Sequence, residues 1–112
     1  MKEKIALFPG SFDPITKGHE SVVLRALPMC DKIVIAIGSN NAKNSVFSLE
    51  KRIEWIRQTF AGYDNIEIST FNSLTIDYCK EIGAKYILRG LRNSVDFQYE
   101  RNIARINQEL DD

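Results

Sequence analysis

Four short apolar runs, each followed by a stretch with helical spacing, constrain this chain more than any other feature. Residues 4–8 (K-I-A-L-F), 32–37 (K-I-V-I-A-I), 65–70 (N-I-E-I-S-T) and 85–89 (K-Y-I-L-R) read as strands. The second is continuous and β-branched, as expected of a strand covered on both faces. The third alternates and suits a place nearer a sheet edge. The first intervening helix is predicted over 17–27, with Val23 and Leu27 at i, i+4 and a stop near Pro28. Ser48 reads as the N-cap of the next, with Glu50 in its first turn and Leu49, Ile53, Ile56 and Phe60 as its apolar stripe. Ser73 is read as the cap of a short helix bearing Ile76, Cys79 and Ile82, with Gly83 at its C-terminal end. A last helix is predicted from Asn93, with Val95, Tyr99, Ile103, Ile106 and Leu110 along one side. The order βαβαβαβα predicts one α/β domain over 1–112. Its fold would be a Rossmann-like, doubly wound parallel sheet with helices on both faces and right-handed crossovers.

Composition narrows the function classes. Fifteen Lys and Arg balance fifteen Asp and Glu, so any site for a polyanion must be local, and a nucleic-acid partner has no support. No apolar run approaches the ~20 residues that span a bilayer, and the apolar stretch 5–8 is too short for a signal peptide. The two cysteines form no Cys-x-x-Cys pair, which argues against a disulfide framework or a cysteine-based metal site. A reduced, cytoplasmic setting without a membrane partner is the expectation.

Ligands of open α/β sheets bind beyond the carboxyl ends of strands. After the first strand comes P-G-S-F-D-P-I-T-K-G-H (9–19), which contains neither G-x-G-x-x-G nor a P-loop pattern. It offers turn amides, the Ser11 hydroxyl, and a helix start at Thr16-x-Gly18-His19, where unpaired N–H groups attract anions. His19 is the only histidine, so a histidine-rich metal site is excluded by count, and no metal-ligating residue is assigned. The alternative is that Gly18 and His19 only shape the helix start. Lys43 follows the second strand, where a lysine is either solvated or a phosphate ligand. Arg89 and Arg92 bracket Gly90 after the fourth, and their forked donors suit phosphate unless they pair with acids such as Asp96 or Glu100. Trp55 and Arg52 read as helix surface or a subunit contact. Taken alone, these residues describe a phosphate-rich ligand site without naming its substrate.

Three segments resemble the bacterial phosphopantetheine adenylyltransferases, in the superfamily of nucleotidyltransferases with a T/HxGH motif. They are F-P-G-S-F-D-P-I-T-K-G-H (8–19), K-x-x-x-F-S-L-E-x-R (43–52) and R-G-L-R-N-S-V-D-F-Q-Y-E (89–100). The T-x-G-H element is shared across the superfamily, whereas R-G-L-R followed by D-F-x-Y-E is far more specific. The resemblance implies transfer of the adenylyl group of ATP to 4′-phosphopantetheine, giving dephospho-coenzyme A and pyrophosphate, with Mg²⁺ as cofactor and a hexameric assembly. It implies catalytic roles for His19, Lys43 and Arg89, and substrate contacts from Ser11, Lys43, Thr75 and Arg89. It further implies nucleotide contacts from Ser11, Phe12, His19, Gly90, Leu91, Arg92 and Glu100. Dephospho-coenzyme A or coenzyme A would bind as product or inhibitor. Family members continue for several dozen residues, adding a strand and a Ser/Thr-rich segment that opens an ATP-binding helix, so the chain is expected to be incomplete at its C-terminus. That leaves two alternatives open: a non-catalytic nucleotide- or coenzyme A-binding fragment, and a superfamily member acting on another phosphorylated acceptor such as nicotinamide mononucleotide or glycerol phosphate.

Overall fold

Residues 33–37 are buried without a break, so the strand that holds them must lie inside a sheet covered on both sides. The computed structural model, which describes residues 3–38, 45–91 and 94–99, places it there. The strands are β1 (Ile5–Gly10), β2 (Lys32–Gly38), β3 (Ile66–Phe71), β4 (Tyr86–Leu91) and β5 (Ser94–Tyr99). The helices are α1 (Lys17–Ala26), α2 (Leu49–Thr59) and α3 (Thr75–Ile82), with a 3₁₀ turn over Leu27–Met29, where Pro28 ends the α-helix. Sheet order is β3-β2-β1-β4-β5. The first four strands are parallel and β5 runs antiparallel to β4.

Side-chain alternation divides the interior into two cores. Ala6, Phe8, Ile33, Ile35, Ile37 and Leu88 pack with Val22, Val23 and Ala26 of α1, and with Ile56 and Phe60 at the end of α2. Leu7, Val34, Ala36 and Ile87 point the other way, against Tyr78 and Cys79 of α3. The first two crossovers therefore cover one face and the third covers the opposite face, which is the doubly wound arrangement. Strand β3 is an edge, as its alternating sequence predicts.

Two expectations change. The segment predicted to begin the last helix is instead β5 over Ser94–Tyr99; Asn93, Ile103, Ile106 and Leu110 lie outside the described residues. S-V-D-F-Q-Y alternates strictly, so it fits period two as well as the i, i+4 spacing of Val95 and Tyr99. The free edge of β4 supplies hydrogen-bonding partners that a helix would leave unused.

Helix α3 starts one residue later than read, with Leu74 as an N-cap lacking a side-chain bond. Its buried stripe thus runs through Tyr78 and Cys79, and Ile76 is left 36% exposed. Tyr78 stacks on Phe71 at 4.9 Å and shares a 2.7 Å hydrogen bond between its hydroxyl and Ser69 Oγ, so its polar end is satisfied. Gly83 closes the helix at φ 76°, a left-handed position that suits glycine.

Ile35 is fully buried and Val46 is 77% exposed. Ile35→Ala is expected to cost about 2–5 kcal/mol in urea unfolding, from lost burial plus the cavity left behind. Val46→Ala should stay within about 0.5 kcal/mol.

Candidate functional site

The chain winds from β1 outward through β2 to β3, then returns to the far side of β1 as β4. The point where strand order reverses therefore lies between β1 and β4. These two strands are in register only at Ala6↔Tyr86 and Leu7↔Ile87, whereas β1 and β2 stay paired through Gly10↔Ile37. Beyond Leu7 and Ile87 the ladder ends, and Pro9 has no N–H with which to extend it. Past it the carboxyl ends of the two strands run unpaired with each other, β1 into its turn and β4 through Arg89, Gly90 and Leu91, and the crevice that such folds offer a ligand belongs between them.

That turn is built around His19. Thr16 is the N-cap of α1, and its Oγ1 accepts a 3.3 Å hydrogen bond from the His19 N–H. The Thr16 N–H donates back to His19 Nδ1 at 2.9 Å, with Thr16 Oγ1 also 3.1 Å from Nδ1. This is a capping box with an imidazole where Glu or Gln usually stands. A backbone N–H can only donate, so Nδ1 is an acceptor and the neutral ring carries its proton on Nε2. The ring is half-buried, with Phe12 5.0 Å away and Phe8 6.1 Å away, both edge-on. This burial lowers the His19 pKa below its ordinary value. Phe12 itself is buried at φ 45°, a conformation uncommon outside glycine. A Cβ at Gly10 would come within 3.1 Å of the Phe12 ring, so the turn closes tightly on that ring.

A second set of contacts ties the turn to the start of α2. Asp13 accepts hydrogen bonds from the backbone N–H groups of Val46 and Phe47, the latter at 2.8 Å. Desolvation pushes the Asp13 pKa up, but those two N–H donors and the nearby Arg52 charge outweigh it and hold the carboxyl below its usual range. Arg52, read from sequence as helix surface or a subunit contact, is 2% exposed within this chain. Its Nε donates to the Phe47 carbonyl at 3.1 Å and its Nη1 to the Ser11 carbonyl at 3.0 Å. The guanidinium is buried because backbone carbonyls satisfy its donors and Asp13 offsets its charge. Trp55 is half-buried, packed edge-on against Phe47 at 4.9 Å.

Of the residues singled out from sequence, Ser11, Phe12 and His19 share this turn. Arg89 is exposed on the neighbouring strand β4, with Asp96 opposite it in register. Gly90 and Leu91 end β4. Thr75 stands apart, opening α3 after the edge strand β3, which lies two strands, or about 10 Å, from β1. Lys43, Arg92 and Glu100 lie outside the described residues. Sequence reasoning missed Asp13, the role of Thr16 as partner of the imidazole, and Arg52. The T-x-x-H spacing could have revealed the reciprocal cap. Nothing local predicts a buried arginine on α2, because one of its acceptors, the Ser11 carbonyl, lies in a turn 41 residues earlier.

The fold and this crevice place the chain in a class: a family model described as cytidylyltransferase-like matches residues 7–111. More narrowly, the chain belongs to the phosphopantetheine adenylyltransferases. The enzyme of that name from Cytophaga hutchinsonii is 50% identical over 107 residues, covering 96% of this chain and 71% of its own length. Those of Leptospira biflexa and Limosilactobacillus reuteri are 49% and 46% identical, with 68% and 63% of their own lengths covered. The chain thus spans about two-thirds of these relatives. Among solved structures, a lipopolysaccharide core biosynthesis protein from Thermoplasma volcanium shares the fold at TM-score 0.58 and 16% identity, with 77% of this chain and 73% of that one covered. A bifunctional NMN adenylyltransferase/ADP ribose pyrophosphatase from Francisella tularensis, complexed with AMP and a manganese ion, matches at TM-score 0.52 and 30% identity. That match covers 72% of this chain and 25% of the other.

The His19 geometry predicts a neutral Nε2–H tautomer with a pKa below about 6.5, readable from imidazole ¹⁵N shifts across a pH titration. Because burial lowers the folded value, the stability gained by burying the neutral ring is fully present above the unfolded value and is lost as pH falls through the folded one. An Nδ1–H tautomer, or a raised pKa, would contradict the assigned hydrogen bond. Thr16→Ala should cost about 1 kcal/mol and shift the same imidazole resonances.

Proposed function

We propose that this chain transfers the adenylyl group of ATP to 4′-phosphopantetheine, giving dephospho-coenzyme A and pyrophosphate. What supports this most is the coincidence of two facts: the family match spans nearly the whole chain, and a fixed Nε2–H donor stands at the sheet's switch point. The bifunctional F. tularensis protein, solved with AMP, adds support for an adenine nucleotide as a ligand.

In this reading the acceptor's phosphate attacks the α-phosphorus of ATP in line and pyrophosphate leaves. A phosphate oxygen is already a nucleophile, so no general base is required; rate comes from alignment and from donors aimed at charge on the transferring group. His19 donates Nε2–H to an α-phosphate oxygen, most strongly as charge builds there. Arg89 grips the acceptor's phosphate, and Lys43 holds that phosphate and the developing charge. Ser11 touches both substrates' phosphates, and Thr75 the pantetheine arm. Phe12, Gly90, Leu91, Arg92 and Glu100 border the nucleotide.

Mg²⁺ belongs to the proposal as a companion of the ATP phosphates. Among the described residues no three His, Cys, Asp or Glu side chains gather as a ligand set. Mg²⁺ commonly keeps several waters and rides on substrate phosphates. A single domain, a cytoplasmic location, a homohexamer, and binding of coenzyme A or its dephospho form as product or inhibitor complete the proposal. No helix among the described residues is long and apolar enough to cross a membrane.

The test is pyrophosphate release from ATP, Mg²⁺ and 4′-phosphopantetheine, run beside nicotinamide mononucleotide and glycerol phosphate as acceptors. Release with phosphopantetheine alone is expected. Coenzyme A binding with no pyrophosphate formed would favour a binding fragment instead. His19→Ala should lower kcat about 10²–10³-fold with little change in ATP affinity, as for loss of a transition-state donor. Arg89→Ala should weaken phosphopantetheine binding about 10–100-fold, the worth of a charge-assisted bond; unchanged affinity by calorimetry would remove Arg89 from the site.

A further inference from the structure

We propose that Asp13 and Arg52 are positioning residues that hold the turn of His19 in its reactive geometry by pinning it to the first turn of α2. The inference rests on the adenylyl-transfer reading but concerns two residues to which that reading gives no role. Arg52 Nη1 fixes the Ser11 carbonyl while its Nε fixes that of Phe47. Asp13 takes the N–H groups of Val46 and Phe47 from the opposite direction. The two side chains thus form a closed clamp: each spans from the β1–α1 turn to the start of α2, one through donors and the other through acceptors.

Between the clamped residues sits Phe12, held at positive φ with its ring 5.0 Å from the imidazole. The Thr16 cap fixes one edge of His19, and the Phe12 ring packs against it. If the clamp loosens, Phe12 can relax toward ordinary backbone angles and the imidazole loses that support. Nε2 then remains a donor but points less accurately. Misplacement by about 1 Å can cost on the order of 10²-fold in rate. A residue working this way affects kcat more than KM, and its effect must pass through His19.

Two conservative substitutions separate the clamp from general folding. Arg52→Lys keeps the charge but loses the forked donors. Asp13→Asn keeps the shape but turns a donor toward one of the two N–H groups. Each is expected to lower kcat for pyrophosphate release about 10–100-fold, with KM for both substrates changed less than about threefold. Each should also shift the His19 ¹⁵N resonances. Placed on His19→Ala, either substitution should cost less than about threefold more, since the group it positions is gone. Equal fold losses with and without His19 overturn the clamp, as do unchanged His19 resonances in both variants. Absence of pyrophosphate from the unsubstituted chain overturns the reaction instead; the imidazole resonances then still decide the clamp.

Discussion

Strand β1 is shared unequally between its neighbours, and the chemistry of this molecule depends on that. It stays paired with β2 through Gly10, yet its ladder with β4 ends after Leu7. A fully zipped sheet would bury the backbone where a ligand has to reach it. The split falls where strand order reverses, with α1 and α2 on one face of the sheet and α3 on the other. Phe8 and Leu88, just past the split, stay buried in one core and keep the strands from separating further. The unpaired strand ends are thus anchored by apolar burial at their base.

What fills the opening is economical in kind. Thr16 and His19 satisfy each other's polar groups, ending an orphaned helix start and fixing an imidazole with one set of atoms. A solvated histidine near neutral pH would exchange between tautomers and protonation states. Here the amide of Thr16 selects one tautomer, and the two phenylalanine rings raise the cost of adding a charge. The result is a donor of fixed identity, the property that the proposed transfer by alignment requires of it.

The sheet was legible in the sequence because burial imposes its own pattern: K-I-V-I-A-I can only be a strand covered on both faces, and N-I-E-I-S-T announces an edge. That Ser11 and His19 share one turn was legible because both follow directly on the first strand. Residues 94–99 were not, since one hexapeptide satisfied two periods and the choice fell to the unpaired edge of β4. Arg52 was hidden for a different reason. A charged residue on an amphipathic helix reads as solvent-facing unless its distant partners are known, and here the distant one is the Ser11 carbonyl. Tyr78 lies in the interior where Ile76 was expected, its hydroxyl satisfied by Ser69 on another element.

These misses share a cause that bears on mechanism. Local pattern reports the apolar interior, where each residue's fate follows from its own hydropathy. It does not report polar side chains whose burial depends on partners far along the chain. In a site that works by aiming donors, the second kind of residue sets precision. An electrostatic donor to a transition state is worth about 3–4 kcal/mol only while its direction is held. A sequence can display the donor, as T-x-G-H does here, and still conceal what holds it. In this fold, Asp13 and Arg52 are the side chains that fasten the donor's turn to the rest of the domain.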